Sequence, residues 1–177
     1  MTNANTKKIH LPPSNWVKRF AKKIDKNGKV LDLACGQGRH TSLMLSLGYT
    51  TVAADINLSG IDSLNKHKNL ELMQVDLEQD PWPFEKKAFS GIIVTNYLHR
   101  PLFKNILSAL TPNGILIYET FADGNQEYGH PQNANYLLKR GELILKVFPE
   151  LTILAYEDLI VQKPRPAAVQ RVCAQAC

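Results

Sequence analysis

Apolar positions along the chain follow two rhythms. Five short runs are almost continuously apolar: KVLDLA at 29–34, YTTVAA at 49–54, LELMQV at 70–75, FSGIIVT at 89–95 and ILIYETF at 115–121. Runs of this length and β-branched content predict strands covered on both faces. Between them the spacing widens toward a helical period. Ser14 caps a helix that carries Trp16, Val17, Phe20, Ala21 and Ile24 on one face and Lys18, Arg19, Lys22, Lys23 and Lys26 largely on the other, ended by Asn27-Gly28. Further helices are predicted over His40–Leu47, Ser59–His67, Pro101–Leu110 and about Ala134–Val147, with Gly141 as a break in the last. Asp80–Lys87 holds two prolines and reads as loop, as does polar Ala122–Asn133.

Two later runs, Leu151–Val161 and Ala167–Ala174, are joined by the turn Lys163-Pro164-Arg165-Pro166. Strands joined so closely pair antiparallel. The whole pattern predicts an α/β fold: a Rossmann-like, doubly wound, mostly parallel seven-stranded sheet closed by a C-terminal antiparallel β-hairpin. Right-handed crossovers would gather the loops after the parallel strands on one edge, where ligands bind in such sheets.

Length and composition narrow the class. At 177 residues, with 44% apolar and 21% charged positions, the chain suits one domain over residues 14–177 behind a flexible arm at 1–13. No stretch of 18 apolar residues occurs, and the polar, basic start lacks the apolar core of a secretory signal. Cys35, Cys173 and Cys177 are odd in number and lack CxxC spacing, so they predict free thiols in a reducing, cytoplasmic setting and neither a disulfide framework nor a metal site. Charge is uneven. Residues 1–29 hold eight Lys/Arg against Asp25 alone, while the remainder holds 13 against 15 acids. The basic helix face is either a solvated surface or a contact for RNA or another polyanion.

The densest chemistry lies in Asp32-Leu33-Ala34-Cys35-Gly36-Gln37-Gly38-Arg39, where a strand enters a small-residue turn and then a helix. Gly36 and Gly38 let backbone amides approach a ligand. A dinucleotide fingerprint would place a third glycine where Thr41 stands, and no GxxxxGK[ST] P-loop is present. An acid ahead of the turn suits a ligand with a positive group. Asp55 ends the second predicted strand, placed to accept ribose hydroxyls, and Asp76 follows the third.

With these residues the sequence resembles the class I S-adenosylmethionine-dependent methyltransferases, from Trp16 to Ala174. Within that class, GQGRHTSLMLSLGY with VAADIN is most similar to small bacterial methyltransferases of the tellurite-resistance-like group. The resemblance implies S-adenosyl-L-methionine as cofactor. It implies that Asp32, Ala34, Cys35, Gly36, Gly38, Asp55, Ile56, Asp76, Leu77, Thr95 and Asn96 bind it. Ala34 departs from the glycine often found there. The loop after the fourth strand, Thr95 to Pro101, would flank the transferred methyl group, with Tyr97, His99 and, from the fifth strand, Glu119 as catalytic candidates. Arg100, Tyr128 and His130 are candidates for the acceptor pocket. Tyr97-Leu98 stands where amino-methylating nucleic-acid enzymes have Pro-Pro, which weakens a DNA-adenine reading.

In-line methyl transfer from a sulfonium needs no covalent nucleophile, so Cys35 is expected to serve packing. A base is needed only for an acceptor that must lose a proton; His99, Glu119 and His130 are the candidates. The core uses nearly the whole chain, so acceptor choice falls to the N-terminal helix, the loop after the fifth strand and the turn near Lys163 and Arg165. A small-molecule acceptor is expected. An RNA acceptor guided by the basic helix, a non-catalytic partner subunit and an NAD-dependent enzyme are the alternatives.

Overall fold

A computed structural model of the chain describes residues 11–147 and 150–177. Seven strands form one sheet: β1 (Lys29–Leu33), β2 (Thr50–Asp55), β3 (Leu70–Gln74), β4 (Phe89–Thr95), β5 (Leu110–Phe121), β6 (Leu151–Val161) and β7 (Ala167–Ala176). Their order is β3-β2-β1-β4-β5-β7-β6. The pairs from β3 through β5 are parallel, and β7 runs antiparallel to both β5 and β6. The order reverses between β1 and β4, and this switch point opens the ligand crevice at the carboxyl edge. The expected sheet and closing hairpin are both present.

Period-two alternation splits the core into two layers. On one face Val30, Ile93, Ile115, Ile117 and Cys173 pack beneath α1 (Asn15–Phe20) and α2 (Arg39–Ser46), with Trp16, Phe20 and Met44 as the main contacts. On the other face Leu31, Leu33, Ile92, Val94, Leu116 and Tyr118 pack beneath α3 (Phe103–Ser108) and α4 (Glu142–Val147). The Trp16 indole N–H donates to the Val172 carbonyl at 3.2 Å, which fixes α1 across the hairpin. Among the described residues, no helix is long and apolar enough to cross a membrane.

Four helical expectations are corrected. The helix expected from Ser14 to Asn27-Gly28 is α1 followed by a 3₁₀ turn at Ala21–Lys23; Ile24 is already extended, and the buried Tyr49 hydroxyl meets the Ala21 and Ile24 carbonyls at 2.9 and 3.0 Å. Ser59–His67 forms two 3₁₀ turns, Leu58–Gly60 and Asp62–Leu64, since the chain there lies close against the glycine-rich turn: a Cβ on Gly60 would stand 3.0 Å from Gln37 Cα. The helix expected over Ala134–Val147 shrinks to a 3₁₀ turn at Ala134–Tyr136 and to α4. Leu138 is drawn out between them, with its N–H on the Phe121 carbonyl at 3.0 Å and its carbonyl on the Asp123 N–H at 2.9 Å. The helix expected to reach Leu110 stops at Ser108, and Leu110 already pairs with Phe89, so β5 begins earlier than its apolar run. Of the expected arm, residues 1–10 lie outside the described residues. Pro12 is in contact with the body of the protein, its carbonyl accepting from Arg39 Nη1 at 3.3 Å.

Candidate active site

The turn after β1 takes three left-handed residues, Ala34, Gly36 and Gly38, with φ of 53°, 54° and 71°. The two glycines have different duties. A Cβ on Gly38 would stand 2.6 Å from Ile61 Cγ1, whereas a Cβ on Gly36 would meet nothing within 4 Å. Gly38 therefore serves packing, and Gly36 faces open space at the crevice. Cys35 is buried, and that burial, with Asp32 and Asp55 nearby, pushes its thiol far above the usual range. It is a packing residue and not a nucleophile at neutral pH.

Asp55 stands at the end of β2 with both oxygens held by backbone. Its Oδ2 accepts the Gly36 N–H at 2.7 Å and its Oδ1 accepts the Asn57 N–H at 3.0 Å. The carboxylate is thus fixed beside the turn, with lone pairs left for further donors. Next to it Ile56 is 59% exposed, an apolar shelf with no packing duty. After β3, Asp76 Oδ1 accepts the Glu78 N–H at 2.9 Å, and Leu77 beside it is buried.

Asp32 is placed differently from the other two acids. It is 1% exposed and lies beneath the turn, its Oδ2 accepting the Thr41 hydroxyl at 2.6 Å. Burial raises its pKa to about 6, against the opposing pull of the hydrogen bonds from Thr41.

A buried polar chain unanticipated from sequence crosses the crevice floor. His40 is 1% exposed; its Nε2 accepts the Ser14 N–H at 3.0 Å and its Nδ1 lies 3.2 Å from the Thr95 hydroxyl. Since Nε2 is an acceptor, the proton of the neutral ring sits on Nδ1. Burial, with Arg39 adjacent, lowers the His40 pKa to about 3. The Ser14 hydroxyl donates to Glu119 Oε1 at 2.7 Å, and Glu119 Oε2 accepts from Arg171 Nη1 at 3.2 Å. Arg171 also forms a two-pronged pair with Glu157. The start of α1 is thereby latched to β5 and β7.

Beyond β4 the chain turns through Asn96, with φ of 56° and its N–H on the Glu119 carbonyl at 2.9 Å. Two cavities meet at Asn96 and Phe121. One, of about 580 Å³, is lined among others by Glu78, Tyr97, His130 and Tyr136. The other, of about 760 Å³, lies between residues 11–15, Arg39, Glu119 and the β6–β7 turn. The Tyr97 hydroxyl is buried without a hydrogen-bond partner among the described residues. Burial, with the Glu78, Asp76 and Asp55 charges, pushes it far above the usual phenol range, so it stays a protonated donor.

The structure thus brings Asn96, Tyr97 and His130 to the smaller cavity and Asn96 and Glu119 to the larger one. His99, Arg100 and Tyr128 line neither. His99 Nδ1 is 4.0 Å from Glu78 Oε2. Arg100 commits its guanidinium to Glu142, at 2.7 and 2.9 Å, and to the carbonyls of Asn135 and Leu137, at 2.6 and 2.8 Å. That geometry makes Arg100 the clamp of the loop after β5. Tyr128, on the same loop, is exposed.

The fold and this crevice have counterparts in known proteins. A family model described as "Methyltransferase domain" matches residues 7–155, and the chain belongs to that family. The Bacillus subtilis (strain 168) protein YqeM, itself named only provisionally as a methyltransferase, is 23% identical over 121 residues; the match covers 62% of this chain and 49% of YqeM, so the chain spans about half the length of that curated relative. Among solved structures, TehB from Haemophilus influenzae aligns with a TM-score of 0.75 at 22% identity, over 98% of this chain and 64% of TehB. The 1,6-didemethyltoxoflavin-N1-methyltransferase of Burkholderia thailandensis, solved with 1,6-didemethyltoxoflavin and S-adenosylhomocysteine, aligns with a TM-score of 0.64 at 17% identity, over 84% of this chain and 70% of that one. The likeness to these structures is one of fold: that of the S-adenosylmethionine-dependent methyltransferases, whose cofactor is S-adenosyl-L-methionine.

Proposed function

We propose that the protein transfers a methyl group from S-adenosylmethionine to a small-molecule acceptor by in-line displacement. One observation carries the cofactor side: Asp55 is held by the Gly36 amide beside the exposed shelf of Ile56, a pairing that suits a ribose diol with a flat base next to it. The residues present fit the group. Gly36 leaves open space over the turn, and the orphaned Tyr97 hydroxyl is a donor awaiting an acceptor. Bound there, the cofactor would supply an activated methyl group on a sulfonium.

The chain's own residues would do the rest. Asp55 would take the ribose hydroxyls, Ile56 and Leu77 would flank the base, and Asp76 would receive its amino group. Ala34, Cys35, Gly36 and Gly38 shape the turn, and Asp32 places a carboxylate beneath it. Thr95 and Asn96 would border the methyl-donating end. Orientation is the main contribution a protein makes to such a displacement. Of the two histidine candidates for a base, His130 lines the smaller cavity and His99 lines neither. Glu119 is engaged by Ser14 and Arg171 and serves the latch.

The two cavities, about 580 and 760 Å³, are of the size that small ligands occupy, which supports a small acceptor over a macromolecule. The test is to incubate the protein with S-adenosylmethionine and a fractionated small-molecule extract, then to follow S-adenosylhomocysteine. Turnover with the small fraction, and none with tRNA or rRNA, is expected. Turnover with RNA alone would contradict the small acceptor, and none with either would favour a non-catalytic partner.

A further inference from the structure

We propose that the larger cavity, between the N-terminal segment and the β6–β7 turn, binds a small molecule with an apolar body and an anionic head, a carboxylate or a phosphate monoester, and that this is the acceptor. The proposal rests on the methyl-transfer reading above and adds the acceptor's chemical class.

The charges around the cavity do not balance. Four cations line it, Arg39, Lys163, Arg165 and Arg171, against the single carboxylate of Glu119. Arg171 is already matched, by Glu119 and by Glu157. Arg39, Lys163 and Arg165 have no carboxylate within ion-pair distance among the described residues, and residues 1–10 contain neither Asp nor Glu. Three cations without a paired carboxylate thus face one space of about 760 Å³ whose single lining acid, Glu119, is taken by Arg171, and this excess concentrates a field that favours an anion. Burial lowers the Arg39 pKa by more than the nearby Glu119 and Asp32 charges raise it.

The cations arrive from opposite sides of the crevice, Arg39 from the turn after β1 and Lys163 with Arg165 from the β6–β7 turn. Should Arg39 meet the carboxylate of the cofactor's methionyl part, the other two remain for a second ligand. Phe121, Leu159 and Pro12 supply apolar wall, which an ion without an apolar body would leave unused. Asn96 lines both cavities, so a molecule seated here adjoins the loop expected to flank the methyl group. The lysines of the basic helix, Lys18, Lys22 and Lys23, do not line this cavity, so its charge is separate from theirs. A groove built for a polynucleotide would join the two.

The experiment is a calorimetric titration of the full chain, with and without saturating S-adenosylhomocysteine. The probes are phenyl phosphate, benzoate and neutral benzyl alcohol, with tRNA alongside. At least one of the two anions is expected to bind about tenfold or more tightly than benzyl alcohol, the gain of charge-assisted hydrogen bonds. The double variant Lys163→Gln/Arg165→Gln should lose that preference while its affinity for S-adenosylhomocysteine stays unchanged. Equal binding of the three probes, or an anion preference that survives in the variant, would overturn the proposal. So would tight tRNA binding abolished by the variant with no preference among the small probes. Absence of S-adenosylhomocysteine binding would instead strike at the methyl-transfer reading, and the titration without it still reports on the cavity.

Discussion

The Thr41 hydroxyl donates to Asp32 at 2.6 Å from the very position where a dinucleotide fingerprint would need its third glycine. A glycine there lets strand and helix approach closely. Here the same contact is made by a buried hydrogen bond to a carboxylate, which ties α2 to β1. The departure from the dinucleotide pattern is therefore structural, and the acid it secures costs stability at neutral pH.

That cost sets the pH dependence. Asp32 titrates near 6 when folded and near 3.8 when unfolded, so the native state holds the extra proton between these values. Its contribution is full below 3.8 and is lost as pH rises through 6. His40 works in the opposite sense, with a folded pKa of about 3 against 6.5, so its contribution is full above 6.5 and is lost as pH falls toward 3. The two oppose each other where the windows overlap. Asp32→Asn should stabilise the protein more at about pH 7.5 than at about pH 4.5, and should steepen the loss of stability below neutrality. Urea unfolding at both pH values checks it; an equal effect at the two would contradict the assignment.

Asp55→Ala should weaken S-adenosylhomocysteine binding about tenfold or more, since a charge-assisted hydrogen bond is worth roughly 1.5–3 kcal/mol. Stability should fall as well, since the bonds to the Gly36 and Asn57 amides are lost, so affinity is compared well below the variant's melting temperature. An unchanged dissociation constant would move the ribose site elsewhere.

Gly36 and Gly38 should separate function from stability. Gly38→Ala forces a Cβ within 2.6 Å of Ile61 at φ 71°, and should cost roughly 2–4 kcal/mol from left-handed strain plus overpacking. Gly36→Ala carries only the strain, about 1–2 kcal/mol, but puts a methyl group into the open crevice. The expected pattern is a larger loss of melting temperature for Gly38→Ala and a larger loss of cofactor affinity for Gly36→Ala. The reverse pattern would exchange their roles.

Arg100→Lys should loosen the loop after β5. Lysine cannot reproduce the fork on Glu142 together with the Asn135 and Leu137 carbonyls, and about 1–3 kcal/mol should be lost. Limited proteolysis should cut faster within Asp123–Arg140, with S-adenosylhomocysteine binding close to wild type. Unaltered cleavage with impaired acceptor binding would instead make Arg100 a ligand contact.

The parallel strands were legible because burial on both faces leaves almost continuous apolar runs, as in Ile92-Ile93-Val94. Helix lengths were not, where tertiary contact outweighs local preference. Leu138 satisfies a helical pattern, yet its backbone bonds to Phe121 and Asp123 hold it extended. The same division runs through the crevice. Gly36, Asp55 and Asp76 are found by their place after strands. The latch of Ser14, His40, Glu119 and Arg171 joins residues 26 to 105 positions apart, and no local spacing signals it. Glu119 and Arg100 looked available in sequence because their partners, Ser14 and Glu142, are brought to them only by folding.

We propose that the crevice at Gly36 and Asp55 holds S-adenosylmethionine and not a dinucleotide. Isothermal titration of the purified chain with S-adenosylhomocysteine and, separately, with NAD separates the two. Micromolar-range binding of S-adenosylhomocysteine with no heat from NAD is the expected result. Tight NAD binding with no response to S-adenosylhomocysteine would contradict it.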